Sequence, residues 1–313
     1  MILNIEISAF LEEHGFSCSH ERIGTQDVII TRLQNGDSAI RVIIPVSITA
    51  REISAAQEQQ NGLKATIEMI SVRFGTYPLI ITEDRWKNQR EMMHKRLLSH
   101  LEIFFPIYAR NCKIRRIDKT EAAEFLKKAH SYADAACRYR YGMFLKRHTG
   151  HIAAQGESLE YLPGTLVAVA TFSNARKWIK GEKTIRSYEW TRYASLPQVR
   201  VSGGMGRLLK AFIEEVQPDD IMSYADLEWS EGDVYERLGF RCEGEKSPVA
   251  FEIDQQMQRH PIVLPAPESE LPLPQEPQPS QVPGPHPRQA QSGNLFYINQ
   301  GSRKYRLKLT EYE

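Results

Sequence analysis

The chain has 313 residues, of which 41% are hydrophobic and 25% charged. That is the composition of an ordinary globular protein, with room for about two domains at roughly 150 residues each. Mean hydropathy is −0.44, and no apolar run approaches the roughly 20 residues that a membrane span needs, which excludes a helical membrane protein. The formal net charge of +1 is a cancellation: residues 110 to 210 carry 20 basic against 8 acidic side chains, residues 211 to 313 carry 9 against 18, and residues 1 to 109 carry 11 against 13. Charge segregated in this way bears on partners rather than on fold. The +12 segment either faces phosphate, DNA or RNA included, or is a lysine-rich solvated surface.

The first residues, Met1-Ile2-Leu3-Asn4-Ile5-Glu6, lack the basic and then unbroken apolar regions of a secretory signal, so a cytoplasmic protein is expected. Cys18, Cys112, Cys137 and Cys242 are far apart with no CxxC spacing. They predict neither a disulfide framework nor a zinc knuckle, but small buried hydrophobes.

In chain order, Asp27 to Ile30 and Ala39 to Ile44 flank Asn35-Gly36, a hairpin signal because both turn residues tolerate positive φ. A helix-period stretch over residues 50 to 72, a strand from Tyr77 to Ile81 and a charged helix from Arg85 to Leu101 complete a ββαβα order. Lys113 to Ile117 reads as a strand, and Asp118 with Glu121 three residues later is a capping box for a helix carrying Phe125 and Leu126. Leu166 to Phe172 is an apolar strand, and Ser187 to Tyr193 alternates like one. Then follow Gly203-Gly204-Met205-Gly206, a helix from Arg207 to Val216, a strand over Ile221 to Tyr224, a short helix from Asp233 to Leu238 and a strand over Ala250 to Ile253. From Pro261 to Pro287 ten prolines predict an extended spacer. Beyond it, Leu295 to Ile298 and Tyr305 to Leu309 read as strands that must return to a sheet laid down earlier, since two lone strands are unstable in water. The prediction is a mixed, largely antiparallel α/β sheet flanked by helices over residues 106–313, with a Pro-rich insertion at 258–293, preceded by a smaller α/β domain over 1–105.

The glycine cluster is the first candidate for chemistry. A strand, then Ser202-Gly203-Gly204-Met205-Gly206, then an amphipathic helix puts backbone N–H groups at a helix N-terminus, where glycines let a pyrophosphate approach closely. Arg200 and Arg207 flank it. A ligand-free turn has the same composition. It is not a Walker loop, since no Gly-Lys-Ser/Thr follows. Downstream lies Tyr235-Glu236-Arg237-Leu238-Gly239-Phe240.

A basic, glycine-rich turn followed by a strand and a YxxxGF resembles the GNAT superfamily of N-acetyltransferases. Gly204 and Gly206 match the family's turn, whereas its basic first position falls on Val201, with Arg200 one residue early. From about Ile80 onward the chain is similar to a phage and mobile-element branch related to Mom-type DNA-modification proteins and found beside homing-endonuclease-like nucleases. Thr82 to Trp86, Tyr108 to Ile114, Leu166 to Arg176, Ser187 to Tyr193 and Ser223 to Ser230 carry that resemblance in order. It departs at His130-Ser131-Tyr132-Ala133, where the branch has HxQG, and at Glu228, where it has Arg. In such relatives the upstream part is a nuclease. Here the segment from Arg41 to Thr49 lacks the acidic and His residues that such a site needs, so residues 1–105 are a nuclease-like shell without its chemistry or an unrelated domain.

The resemblance implies an acyltransferase using acetyl-CoA or another acyl-CoA. Gly204 to Arg207, with Arg200, Ser202 and Gly203, would hold the pyrophosphate, and Trp190, Thr191 and Arg192 would offer backbone groups to the pantetheine and thioester. Tyr235 would protonate the thiolate. Glu189 and Asp226 are candidate bases, or structural partners of Arg192 or Arg176. His130, His148 and His151 have no carboxylate partner at ligand spacing, and no metal is predicted. The rival readings are a catalytically degenerate, nucleic-acid-binding module and an interaction protein acting through its Pro-rich loop.

Overall fold

The computed structural model describes residues 2–33, 39–152, 158–181, 183–263 and 294–312. In chain order these form α1 (Ile2–Glu13), β1 (Ser19–Ile23), β2 (Gln26–Arg32), β3 (Ile40–Val46), α2 (Ile53–Phe74), β4 (Leu79–Thr82), α3 (Glu83–Asn88) and α4 (Arg90–His100). Next come β5 (Phe105–Tyr108), β6 (Cys112–Arg116), α5 (Lys119–Ala129), β7 (Tyr139–Leu145), β8 (Thr149–Ile152), β9 (Ser158–Tyr161) and β10 (Leu166–Phe172). The chain continues with β11 (Arg176–Lys180), β12 (Lys183–Ser195), β13 (Val199–Ser202), α6 (Gly204–Val216), β14 (Asp220–Asp226) and α7 (Asp233–Arg237). It ends with β15 (Arg241–Lys246), β16 (Ala250–Ile253), β17 (Arg259–Ile262), β18 (Leu295–Ile298) and β19 (Ser302–Lys308). The protein is a mixed α/β molecule, as its patterning predicts.

Two compact units share the chain. The first takes Met1–Asn88, Asp226–Glu231 and Glu245–Ser302; the second takes Gln89–Ala225, Gly232–Gly244 and Arg303–Glu313. The sequence reading drew one boundary near residue 105. The segment Asp226–Glu231 is too short for composition to mark its return.

In the first unit, β1 to β4 form a sheet in chain order, antiparallel through β3 and parallel between β3 and β4. The helix α2 makes the crossover that a parallel pair requires. Ala56, Leu63, Ile67 and Ile70 recur at helical spacing on its buried face, and Gly75 at φ 63° ends it by donating to Ser71 O. The smaller sheet β17-β16-β18 adds Phe251, Ile253 and Tyr297 to the same core. A charged cluster ties the three chain segments together. Arg85 Nη1 donates to Glu228 Oε2 at 2.6 Å and lies 3.7 Å from Asp226, while Arg259 donates to both oxygens of Asp84 and to Thr82 Oγ1. Tyr297 OH donates to Glu228 Oε1 at 2.6 Å. Burial pushes the Asp84 carboxyl up, but the Arg259 hydrogen bonds and charge outweigh it and hold the group below its ordinary value.

The second unit is built on an eight-stranded sheet in the order β15-β19-β14-β12-β10-β7-β6, with β11 paired to β12. The pairs from β6 to β12 are antiparallel, and β12 with β14 is parallel. Strand alternation sends Val169 to one face, where α5 lays Ala122, Phe125 and Leu126. It sends Ala168, Ala170 and Phe172 to the other, where Phe212 of α6 stacks on Phe172 with ring centroids 3.9 Å apart. Asp118 caps α5, accepting from Glu121 N–H at 2.8 Å, while the Glu121 side chain meets Arg115 rather than closing the box.

Several elements differ from the sequence reading. The segment from 85 to 101 is two helices broken at Gln89, and α1 and β1 precede the expected ββαβα order. The last two strands return to different sheets, β18 beside β16 and β19 between β15 and β14. Pro261 lies in β17, opposite Phe251, rather than in a spacer. An edge strand tolerates proline because its outward side has no ladder bond to lose. The Asn35-Gly36 turn and residues 264–293 lie outside the described residues.

Candidate functional site

The candidate site begins where β12 and β14 part. Their register holds for Ser187, Tyr188 and Glu189 against Asp220, Ile221 and Met222, and then stops. At that point β12 bulges against β10: Arg192 faces Thr171 and Trp190 faces Phe172, leaving Thr191 unmatched. Such an extra residue bends its strand. The Thr191 and Thr171 hydroxyls, 2.7 Å apart, pin it, and Thr191 Oγ1 also donates to Thr171 O at 3.0 Å. Beyond the bulge β12 stays with β10 through Ser195, and β14 runs on separately. Past Glu189 and Met222 no further β12–β14 pair is present among the described residues, and this divergence is the wedge; the carbonyls of Trp190, Thr191 and Arg192 accept from Ser223 Oγ, Arg192 Nη1 and Trp190 Nε1.

Tyr235 sits at its apex. Ser223, the first β14 residue past the last pair, donates from Oγ to Trp190 O at 3.0 Å and lies 2.9 Å from Tyr235 OH. Tyr235 stacks on Tyr305 at 5.2 Å and meets Trp190 edge-on at 6.3 Å. Gly232 makes this possible, since at φ 96° a Cβ there would lie 2.4 Å from the Tyr305 ring. Burial raises the Tyr235 phenol above its ordinary value, the Ser223 hydrogen bond lowers it, and the Tyr305 and Glu189 charges raise it further; the net shift is upward. The phenol therefore stays protonated at neutral pH, its oxygen accepting from Ser223 Oγ and its proton directed to Tyr224 O at 3.5 Å.

The two candidate bases part company. The Glu189 backbone is locked to Ser173 by two 2.9 Å hydrogen bonds, and its carboxylate charge acts on Tyr235, Tyr224 and Arg192 alike. Asp226 falls in the first unit, where it accepts from Glu228 N–H at 3.0 Å and pairs with Arg85. Burial lowers the Arg192 pKa, partly offset by Glu189, and its guanidinium donates to Ala133 O and Thr191 O.

The glycine turn follows β13, which pairs in parallel with β5. Gly203 takes φ 75°, and α6 starts at Gly204. As in any helix, the first-turn N–H groups have no acceptor within the helix. Ser202 and Gly203 are exposed, while Gly204 is buried, where a Cβ would lie 2.9 Å from Tyr193 OH. Gly206 has Leu238 Cδ2 at 3.3 Å from the same construction, and Met205 packs partly against the core. Arg200 lies over the Phe104 ring at 4.9 Å. Arg207 donates inward to Ala109 O and Cys112 O, so its side chain braces the turn. The turn thus offers backbone donors rather than an arginine fork. Of the histidines, His130 Nδ1 accepts from Tyr132 N–H and His148 Nε2 lies 3.5 Å from Glu160; the His151 side chain is outside the described residues.

Ser223 and Thr171 are site residues that sequence reasoning missed. A lone serine or threonine in an apolar strand carries no local signal, and only the long-range register shows what its hydroxyl touches.

No known protein family matches the chain, and no curated protein does. Among solved structures, it is similar to a conserved protein from Enterococcus faecalis V583 described as a probable N-acyltransferase, at 11% identity and TM-score 0.31, over 45% of this chain and 35% of that one. It is also similar to the NatC complex bound to Gag peptide and CoA, at 12% identity and TM-score 0.33, over 64% of this chain and 99% of that one. The chain thus spans about a third of the first of these proteins.

Proposed function

We propose that the protein is a GNAT-type N-acyltransferase that moves an acyl group from a CoA thioester, acetyl-CoA in the simplest case, to an amine. The observation that carries this reading is the Tyr235 hydroxyl 2.9 Å from Ser223 Oγ, where the β12–β14 ladder ends, in the same unit as the glycine turn that opens α6. In it, the first-turn amides of α6 bind the pyrophosphate. The edge of β12 at Trp190 to Arg192, no longer paired with β14 past Glu189, supplies backbone N–H groups to the pantetheine and the thioester carbonyl. The amine nitrogen attacks the carbonyl carbon, the C–N bond forms and the C–S bond breaks. Tyr235 gives its proton to the departing sulfur, and the nitrogen's surplus proton passes to Glu189. Acyl-S-CoA and amine become amide and HS-CoA.

The finer readings rest on the sequence. Mobile-element kinship and DNA modification rest on the ordered motifs from Thr82 to Ser230, and contact with DNA or RNA on the +12 charge of residues 110 to 210. One observation favours the degenerate, nucleic-acid-binding alternative: Arg207 is committed to the Ala109 and Cys112 carbonyls and is not displayed at the turn. Thiol release from acetyl-CoA against a panel of amines tests the proposal. Amine-dependent thiol formation supports it; none with any amine, together with DNA or RNA affinity that falls steeply with salt, supports the alternative.

A further inference from the structure

The Arg192 side chain joins the β12 bulge to the loop between α5 and β7, both within the second unit. Its Nη1 donates to Thr191 O at 2.7 Å, on the residue that the bulge leaves unmatched, and its Nε donates to Ala133 O at 3.1 Å in the loop. The guanidinium carbon lies 5.9 Å from the centre of the Tyr132 ring, in the same loop. That loop is itself braced. Gln89 Nε2 donates to Ser131 O at 3.1 Å, Arg96 Nη1 to Ser131 Oγ at 2.8 Å, and Arg138 N–H to Phe172 O of β10 at 3.0 Å. Ala133 offers its carbonyl from a backbone at φ 49°, a conformation that a non-glycine residue keeps only where its surroundings impose it. One end of the guanidinium thus rests on a fixed support, and the other grips the bulge.

A planar fork holds two carbonyls at a set separation, which a single ammonium on a flexible stem does not. The peptide between Thr191 and Arg192 is trans, so the gripped carbonyl and the Arg192 N–H point in opposite directions across one plane. Fixing the first fixes the second. We infer that the Arg192 side chain is a positioning residue for acyl transfer: by fastening the Thr191 carbonyl to the braced loop, it orients the peptide plane whose N–H meets the thioester carbonyl. This role rests on the acyltransferase reading and adds to the backbone part of Trp190 to Arg192 in it. The thioester oxygen gathers negative charge as the amine attacks, and a donor whose direction is set beforehand stabilises that charge without reorganising.

The test uses the full chain and acetyl-CoA labelled with carbon-13 at its carbonyl, whose resonance is followed on binding. Wild type, Arg192→Lys and Arg192→Gln are compared at saturating acetyl-CoA, with the thermal unfolding of each recorded. Expected is a downfield displacement in wild type, of which about half or more is lost in both variants while they remain folded and bound. Lysine keeps the charge, so its failure to restore the displacement separates the fork from the charge. Two variants of different chemistry keep the outcome readable if one melts early. Full displacement in either folded variant, its absence from acetyl-CoA-bound wild type, or loss of acetyl-CoA binding by folded variants overturns the positioning role. No acetyl-CoA binding by wild type removes the acyltransferase reading and this role with it.

Discussion

At the scale of single residues the account turns on Tyr235. Its hydroxyl is placed by Ser223 and its ring by Tyr305, so Tyr235→Phe keeps the stack and removes only the proton. That variant should lower kcat about 10²-fold with little change in KM for acetyl-CoA, measured by thiol release. The upward shift of the phenol fixes the sign of the pH dependence. An acid whose pKa lies above 10 stays protonated below that pH, so no alkaline limb owed to Tyr235 should appear before pH 10. An alkaline limb near pH 8 that Tyr235→Phe abolishes contradicts this. Gly232 is the second position where one atom decides. A methyl group there meets the Tyr305 ring at 2.4 Å on a backbone at φ 96°, so Gly232→Ala should cost about 2–3 kcal/mol in urea unfolding.

Elements show what the sequence made legible. The β10 strand, the α5 cap and the turn into α6 follow from local chemistry: an unbroken apolar run, Asp118 three residues before Glu121, and Gly203 where φ is positive. Helix α1 did not show itself. Ile2 and Ile5 are 74% and 64% exposed, so its apolar residues are not confined to the buried face, and no acidic residue marks its first turn. Tyr235 and Glu189 were visible as motif residues, but the wedge that gives them meaning was not. It depends on where a parallel register between residues 33 positions apart stops, and on a bulge against a third strand. Glu228 illustrates the opposite case. In the sequence it is a departure from the motif; in the fold it is fully buried between Arg85 and Tyr297.

For the whole molecule, the charged cluster of the first unit replaces a covalent tie between chain segments that return from far away. Removing one partner leaves a buried charge uncompensated, which costs about 3–5 kcal/mol. Glu228→Ala should therefore unfold the first unit at markedly lower urea than wild type, monitored by Trp86 and Trp229 fluorescence. An unchanged midpoint removes the cluster from the stability account. Asp84 adds a pH signature. Its folded pKa lies below the unfolded value, so the stabilisation is complete above about pH 4 and is lost as pH falls through the folded value. Thermal unfolding followed from pH 5 to pH 2.5 should show a steeper decline in wild type than in Asp84→Asn; parallel declines contradict it. The near-neutral total charge, by contrast, predicts nothing by itself, because the +12 segment lies wholly in the unit that holds the wedge and the glycine turn.

The most direct measurement is calorimetric titration of acetyl-CoA into the wild-type chain and into Ser202→Glu, which sets a carboxylate at the exposed start of the glycine turn without altering a positive-φ residue. Binding by wild type that weakens at least about tenfold, ~1.4 kcal/mol, in Ser202→Glu is the result predicted. No heat from wild type at millimolar acetyl-CoA, or equal affinity in the two proteins, would contradict the assignment of the turn and wedge as an acyl-CoA site.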